Sequence, residues 1–198
     1  MCHGNYRYVT NKEIVTDEKI HVIYAGKISQ GIINDAFIAA DIARFLNKQY
    51  HVHILGYGTD RDIEALKVKI NVINEERGIV AVSYDGCLLG IEYDRFLAKC
   101  KIGLCTRTLK DELSDYCFPS KILAYLSHDI IPICPSVQSL LDSQVSDNLV
   151  FVDQLKPENI AQAVLSISPD KFHEKNESML KRHESRFVDS LTKLFNSI

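Results

Sequence analysis

Residues 100–135 read CKIGLCTRTLKDELSDYCFPSKILAYLSHDIIPICP, and this stretch decides the fold. A short apolar run at 102–105 is a strand by composition. A polar loop at 106–117 follows, and Phe118-Pro119-Ser120-Lys121 introduces a helix over 120–127. A second apolar strand, 130–134, follows with almost no connection. Strand, loop, helix and strand in that order make a crossover between parallel strands. The helix start carries a hydroxyl at Ser120 and a cation at Lys121. Its first N–H groups lack internal partners and the helix dipole is positive there, so the spot suits an anion. Ser120 also fits as an N-cap, which needs no ligand. At the mouth of a parallel sheet the matching anion is a phosphate or diphosphate.

The pattern repeats outward in both directions. Upstream, 20–25 is an apolar run closed by Gly26, 32–48 has helical spacing, and 51–55 is a strand ended by Gly56-Tyr57-Gly58. A helix over 60–68, a strand over 79–84 closed by Asp85-Gly86, and a helix over 93–99 complete that side. Downstream come a short helix near 137–141, a strand at 149–152, a helix opened by Pro157, and terminal helical sequence over 170–196. Strand and helix alternate about six times, which predicts a Rossmann-like three-layer α/β/α fold with an open parallel sheet of about six strands. In such sheets ligands bind beyond the strand carboxyl ends. Gly26-Lys27, Gly56-Tyr57-Gly58, Asp85-Gly86, Thr106-Arg107 and 118–121 all follow predicted strands, so the topology collects them on one rim. Gly56 and Gly58 allow backbone to approach a ligand closely.

The totals exclude several classes. The chain has 198 residues and a formal net charge of -3, so no general basic field is available to hold nucleic acid. Its six cysteines form no CxxC pair and no zinc pattern. They suit a reducing cytoplasm. No apolar run is long enough to span a membrane. His51 and His53 lie two apart and share a strand face, which reads as a half-buried pair rather than a zinc site. No metal site, Walker motif or nucleophile elbow is present.

The ordered pieces IHVIYAGKI, HVHILGYG, VSYDGCLLGIEYDRFLAKCKIGLCT, FPSKILAYLS with IIPI, and LVFVD with KPENIAQAVLSI resemble the C-terminal, donor-binding domain of GT-B glycosyltransferases. The resemblance is to the family 4 or family 1 type found in bacterial polysaccharide biosynthesis, and covers about residues 20–167. It implies a division into 1–19 as linker from an N-terminal domain, 20–169 as the nucleotide-sugar binding domain, and 170–198 as C-terminal helices.

The resemblance also implies roles. Gly26, Lys27, Pro119, Ser120 and Lys121 would hold the donor diphosphate, and Gly56, Gly58, Tyr84, Asp85, Gly86 and Thr106 would hold the nucleotide. Each has a plainer reading: Lys27 as a solvated turn lysine, Tyr84 as core, and Arg107, Glu112 and Asp115 as solvated loop residues. Two departures stand out. Ser29-Gln30-Gly31 occupies the place of a second family lysine, whose role Lys121 can take. Ala124 stands where many relatives carry a ribose-binding glutamate.

The expected function is the donor half of a glycosyltransferase moving sugar from a nucleoside-diphosphate sugar to a glycan or lipid-linked acceptor. No catalytic residue is assigned, no cofactor or metal is required, and the isolated half is expected to transfer little. Its partners would be the nucleotide-sugar and an N-terminal GT-B domain. The location would be cytoplasmic, with peripheral membrane association through the whole enzyme. The alternative is a non-catalytic nucleotide-sugar binding or scaffold domain. A flavodoxin-like receiver is disfavoured because Ala25-Gly26-Lys27 offers no acids after the first strand. A nucleotide-sugar epimerase shares the GT-B plan and is a minor alternative.

Overall fold

Runs of Val, Ile and Leu with buried side chains on both faces form the strands, as expected where helices cover a parallel sheet from both sides. The computed structural model describes residues 8–9, 18–31, 34–106, 118–168, 170–171 and 175–196. Its strands are β1 (Ile20–Ile28), β2 (Tyr50–Gly58), β3 (Val82–Tyr84), β4 (Cys100–Leu104), β5 (Ile131–Pro135) and β6 (Val150–Val152). They form one six-stranded sheet in the order β3-β2-β1-β4-β5-β6, and every pairing is parallel. The helices are α1 (Asp35–Ile42), α2 (Asp60–Arg77), α3 (Gly90–Ala98), α4 (Ser120–Ser127), α5 (Gln138–Leu141), α6 (Pro157–Ser166) and α7 (Glu177–Phe195). This is the expected three-layer arrangement.

The two faces have separate cores. Val22, Tyr24, Val52, Ile54 and Ile102 meet α1, α2 and α6 through Ala39, Leu66, Ile73 and Ile160. Ile23, Leu55, Cys105 and Cys134 meet α3, α4, α5 and α7 through Leu97, Tyr125, Leu140 and Leu180. The strand order reverses beside β1, between the crossover to β2 and the later entry of β4. In open sheets ligands gather beside such a switch point; here the cavity opens at the carboxyl ends of β1 and β2.

Several boundaries differ from the sequence reading. α1 is shorter than 32–48, and α2 runs to Arg77 rather than Val68 because Leu66, Ile70 and Ile73 keep facing the core. β3 starts at Val82, leaving Ile79 and Val80 exposed. Gly26-Lys27 and Gly56-Tyr57-Gly58 are not turns: β1 and β2 continue through them in register, Gly26 beside Gly56 and Ile28 beside Gly58. At the opposite end, Val9 N–H donates to the Ser127 carbonyl at 3.1 Å. Asp129, with φ +58, accepts from the Tyr8 hydroxyl at 2.7 Å and from Asn176 N–H at 2.8 Å.

Candidate functional site

The rim begins with two strands that come unusually close. A Cβ on Gly56, where φ is +151, would be driven into the Gly26 carbonyl, and one on Gly58 into the Ile28 carbonyl. These glycines therefore serve the approach of β2 to β1, not only that of a ligand. Gly26 makes room above as well: a Cβ there would lie 3.2 Å from Lys121 Nζ and 2.9 Å from the Tyr24 hydroxyl. The Lys121 ammonium settles over the Tyr24 ring, 4.6 Å from its centroid, a cation–π contact that fixes it at the end of β1. The Tyr24 hydroxyl donates to the Lys27 carbonyl at 3.1 Å.

α4 brings Lys121 there because its far side fits flush to the sheet. Gly103 of β4 faces the Tyr125 ring, which a Cβ would meet at 2.6 Å from Cε2. The Tyr125 hydroxyl accepts from Ala25 N–H at 3.2 Å, and burial raises its pKa well above the ordinary phenol value. Pro119, extended at φ −69 and ψ 113, is the N-cap, and no side-chain hydrogen bond caps the helix. The N-cap expected at Ser120 is thus displaced by one residue: Pro119 has an extended ψ of 113, and Ser120 is already helical. Ser120 lies in the first turn with its side chain exposed.

Beside these groups lies a cavity of about 280 Å³ lined by Ala25, Gly26, Leu55, Gly56, Tyr57, Cys87, Leu88, Leu89, Gly90 and Tyr93. Its wall is mostly apolar. Tyr57 is 63% exposed and Leu89 77%, so a broad aromatic and aliphatic surface faces solvent at the mouth. Tyr93 closes one side; burial above all, then Cys100 and Asp94, pushes its phenol up to about 12. It stays a neutral hydroxyl through the physiological range.

The expected site residues divide into those at the cavity and those that brace it. Gly26, Gly56 and Lys121 come together, with Pro119 and Ser120 at the α4 start and exposed Lys27 next along β1, opposite Tyr57. Tyr84, Asp85 and Gly86 support the wall instead of lining it. The Tyr84 hydroxyl donates to the Gly56 carbonyl at 3.1 Å, and Gly56 N–H donates to the Gly86 carbonyl at 2.9 Å. The Asp85 carboxylate accepts from His53 at 3.0 Å and from the Ser83 hydroxyl at 2.9 Å. Thr106 is buried, donating to the Asp35 carbonyl at 3.3 Å, so it ties β4 to α1. Gly58 serves β1–β2 packing. Arg107, Glu112 and Asp115 lie outside the described residues. Gln30 N–H is held by Asp62 at 2.9 Å. Sequence reasoning placed Tyr57 on the rim without giving it a role, and missed Leu88, Leu89 and Tyr93 as lining.

Among the described residues, no group of three or more His, Cys, Asp or Glu side chains is arranged to hold a metal ion. No described helix is long and apolar enough to cross a membrane.

No family model matches the sequence, and no curated protein does. Solved structures match well. HepE from Anabaena, solved in complex with UDP, superimposes with a TM-score of 0.68 at 13% identity, covering 91% of this chain and 50% of that one. The α,α-trehalose 6-phosphate synthase of Burkholderia multivorans gives 0.62 at 13% identity, covering 91% and 43%. The C-terminal domain of a group 1 glycosyl transferase (LpcC) from Francisella tularensis gives 0.60 at 15% identity, covering 86% and 85%. The chain spans about half the length of the first two and most of the third. Six parallel strands, helices on both faces and these superpositions together give the chain the fold of a GT-B glycosyltransferase domain.

Proposed function

We propose that the chain is the donor-binding half of a glycosyltransferase. It would move sugar from a nucleoside-diphosphate sugar to a glycan or lipid-linked acceptor in polysaccharide biosynthesis, together with an N-terminal GT-B domain. The observation that carries this reading is the Lys121 ammonium over the Gly26 end of β1, at a helix start without a side-chain cap, next to a 280 Å³ cavity. HepE, a structural neighbour, was solved with UDP and with UDP-glucose, which supports the same ligand class here. In this reading the base occupies the cavity against Tyr57, and the diphosphate spans Gly26 and the α4 start. Lys121 and Lys27 neutralise it. Charge grows on the departing nucleotide as the glycosidic bond breaks, and fixed cations and N–H dipoles aimed there lower the barrier. The scheme needs no cofactor, and the nucleotide-sugar is substrate.

Titration calorimetry with uridine, guanosine, adenosine and thymidine diphosphate sugars tests the reading. Lys121→Ala is expected to weaken the best ligand about tenfold, the loss of one charge-assisted contact to phosphate. Absence of saturable binding by all of them, alone or with the N-terminal domain added, overturns it. A second reading is favoured by Ala124, half-buried on α4, which offers no carboxylate to a ribose. It makes the chain a non-catalytic binding domain. Binding without transfer by the reassembled pair would select it.

A further inference from the structure

β1 outruns its neighbour. Its pairing with β4 ends where Tyr24 lies beside Leu104, yet the strand continues to Ile28. Backbone groups past that point cannot use β4 and need other partners. Two tyrosine hydroxyls serve. That of Tyr125 accepts from Ala25 N–H at 3.2 Å, and that of Tyr24 donates to the Lys27 carbonyl at 3.1 Å. Tyr24 is 1% exposed and belongs to the core on the α1, α2 and α6 face. A phenol so buried needs an acceptor of this kind.

Lys121 comes from the other layer. Its helix α4 packs through Ile122, Tyr125 and Leu126 on the opposite face of the sheet. The side chain nevertheless ends 4.6 Å from the centroid of the Tyr24 ring. Gly26 leaves the passage open: a Cβ there would lie 2.9 Å from the Tyr24 hydroxyl, 3.2 Å from Tyr24 Cζ and 3.2 Å from Lys121 Nζ. The tyrosine leans along β1 over a residue without a side chain, and the ammonium closes over the same gap.

A core position asks only for apolar volume, which leucine or phenylalanine supplies. The hydroxyl on Lys27 and the ring face under an ammonium exceed that need. A carboxylate in the same place would hold Lys121 but cancel its charge and repel a phosphate. An aromatic face attracts a cation without a counter-charge, so the ammonium is held while its charge stays available to an anion. We propose that Tyr24 is a positioning residue of the diphosphate site. Its ring seats the Lys121 ammonium, and its hydroxyl fixes the Lys27 peptide from which the second cation extends. One side chain on β1 thereby aligns both lysines. The diphosphate rests on the function proposed above; the seating of the lysines does not.

Isosteric changes at position 24 test it in the full chain. Tyr24→Phe removes the hydroxyl and keeps the ring. Trifluorophenylalanine at the same position keeps that shape and strips the negative charge from its face. Inorganic pyrophosphate and UDP are the probes, by titration calorimetry. Tyr24→Phe is expected to bind them about twofold more weakly than the wild type, and the fluorinated chain about fivefold more weakly than Tyr24→Phe. That second step is expected to vanish in a Lys121→Ala background, where a merely structural ring would leave it in place. Equal affinities for the two rings, or a step that survives Lys121→Ala, overturn the proposal. NMR reads the seating directly. The Lys121 methylene next to the ammonium is expected upfield in the wild type and Tyr24→Phe, and near its ordinary position in the fluorinated chain. The Lys27 carbonyl carbon is expected upfield in Tyr24→Phe, having lost its donor. A Lys121 methylene at the ordinary position in the wild type, or a Lys27 carbonyl unmoved in Tyr24→Phe, also overturns the proposal. Should the fluorinated chain fail to fold, these two signals carry the test. If neither probe binds the wild type, the proposed function fails, and the same two signals alone decide the seating.

Discussion

Gly56 carries two demands that no other residue type meets. Its φ of +151 is hostile to a side chain, and a Cβ there would enter the Gly26 carbonyl. Gly56→Ala is therefore expected to cost about 3 kcal/mol or more, from strain and forced separation of β1 and β2, read as a lower urea midpoint at unchanged slope. The neighbouring Tyr57 is the opposite case: solvent-facing, free of packing duty, and available to a ligand. A sequence shows that Gly-x-Gly permits close approach but not what approaches, which here is the adjacent strand. Lys121 was legible, because Pro-Ser-Lys at a helix start fixes both position and charge. Asp85 was placed at the right strand end, but its bond to His53, 32 residues away in sequence, was not readable.

α4 was readable in its span, though not in its cap: Ile122, Tyr125 and Leu126 repeat at helical spacing against the sheet, while the N-cap is Pro119 rather than Ser120. α2 was not, because its outward face carries Val68 and Val72, both exposed, which blur the stripe. Its real limits are chemical. Thr59 accepts from Asp62 N–H at 3.2 Å and donates to the Asp62 carboxylate at 2.7 Å, and Gly78 closes the helix at φ +62. Near that end Asn74 does what no helical pattern announces. Its side-chain oxygen accepts from Ala81 N–H at 2.8 Å and Val82 N–H at 3.1 Å, and its amide donates to the Val82 carbonyl at 2.9 Å. β3 is a three-residue edge strand, and this clasp fixes where it begins. Asn74→Ala is expected to cost about 2 kcal/mol, three bonds being lost with part of their groups left to water. Hydrogen exchange should show Ala81 and Val82 amides losing protection while β1 keeps its own.

At the scale of the molecule, the layer count, strand direction and rim were all legible, because alternating strand and helix admits few topologies. The ladder of His21, His51 and His53 was not, since it joins β1 to β2 and β3 across the sheet. It gives the fold an acid limit. His51 titrates at about 4 in the fold against 6.5 unperturbed. The unfolded chain thus binds more protons between those values, so this contribution is complete above about pH 6.5 and is lost as the pH falls toward 4. Discounted for the ring's partial exposure, it amounts to about 1–2 kcal/mol. Unfolding free energies from urea titration at pH 7 and 4.5 should differ by most of that amount more in the wild type than in His51→Gln.

Asp129 gives the architecture a mechanical reading. It holds Tyr8 and Asn176 at one carboxylate, at the foot of the helix whose head bears Lys121. The eight residues of that helix form a strut about 12 Å long. Tyr8, ahead of β1, and Asn176, just before α7, are thus tied through one carboxylate to the far end of the helix that carries Lys121.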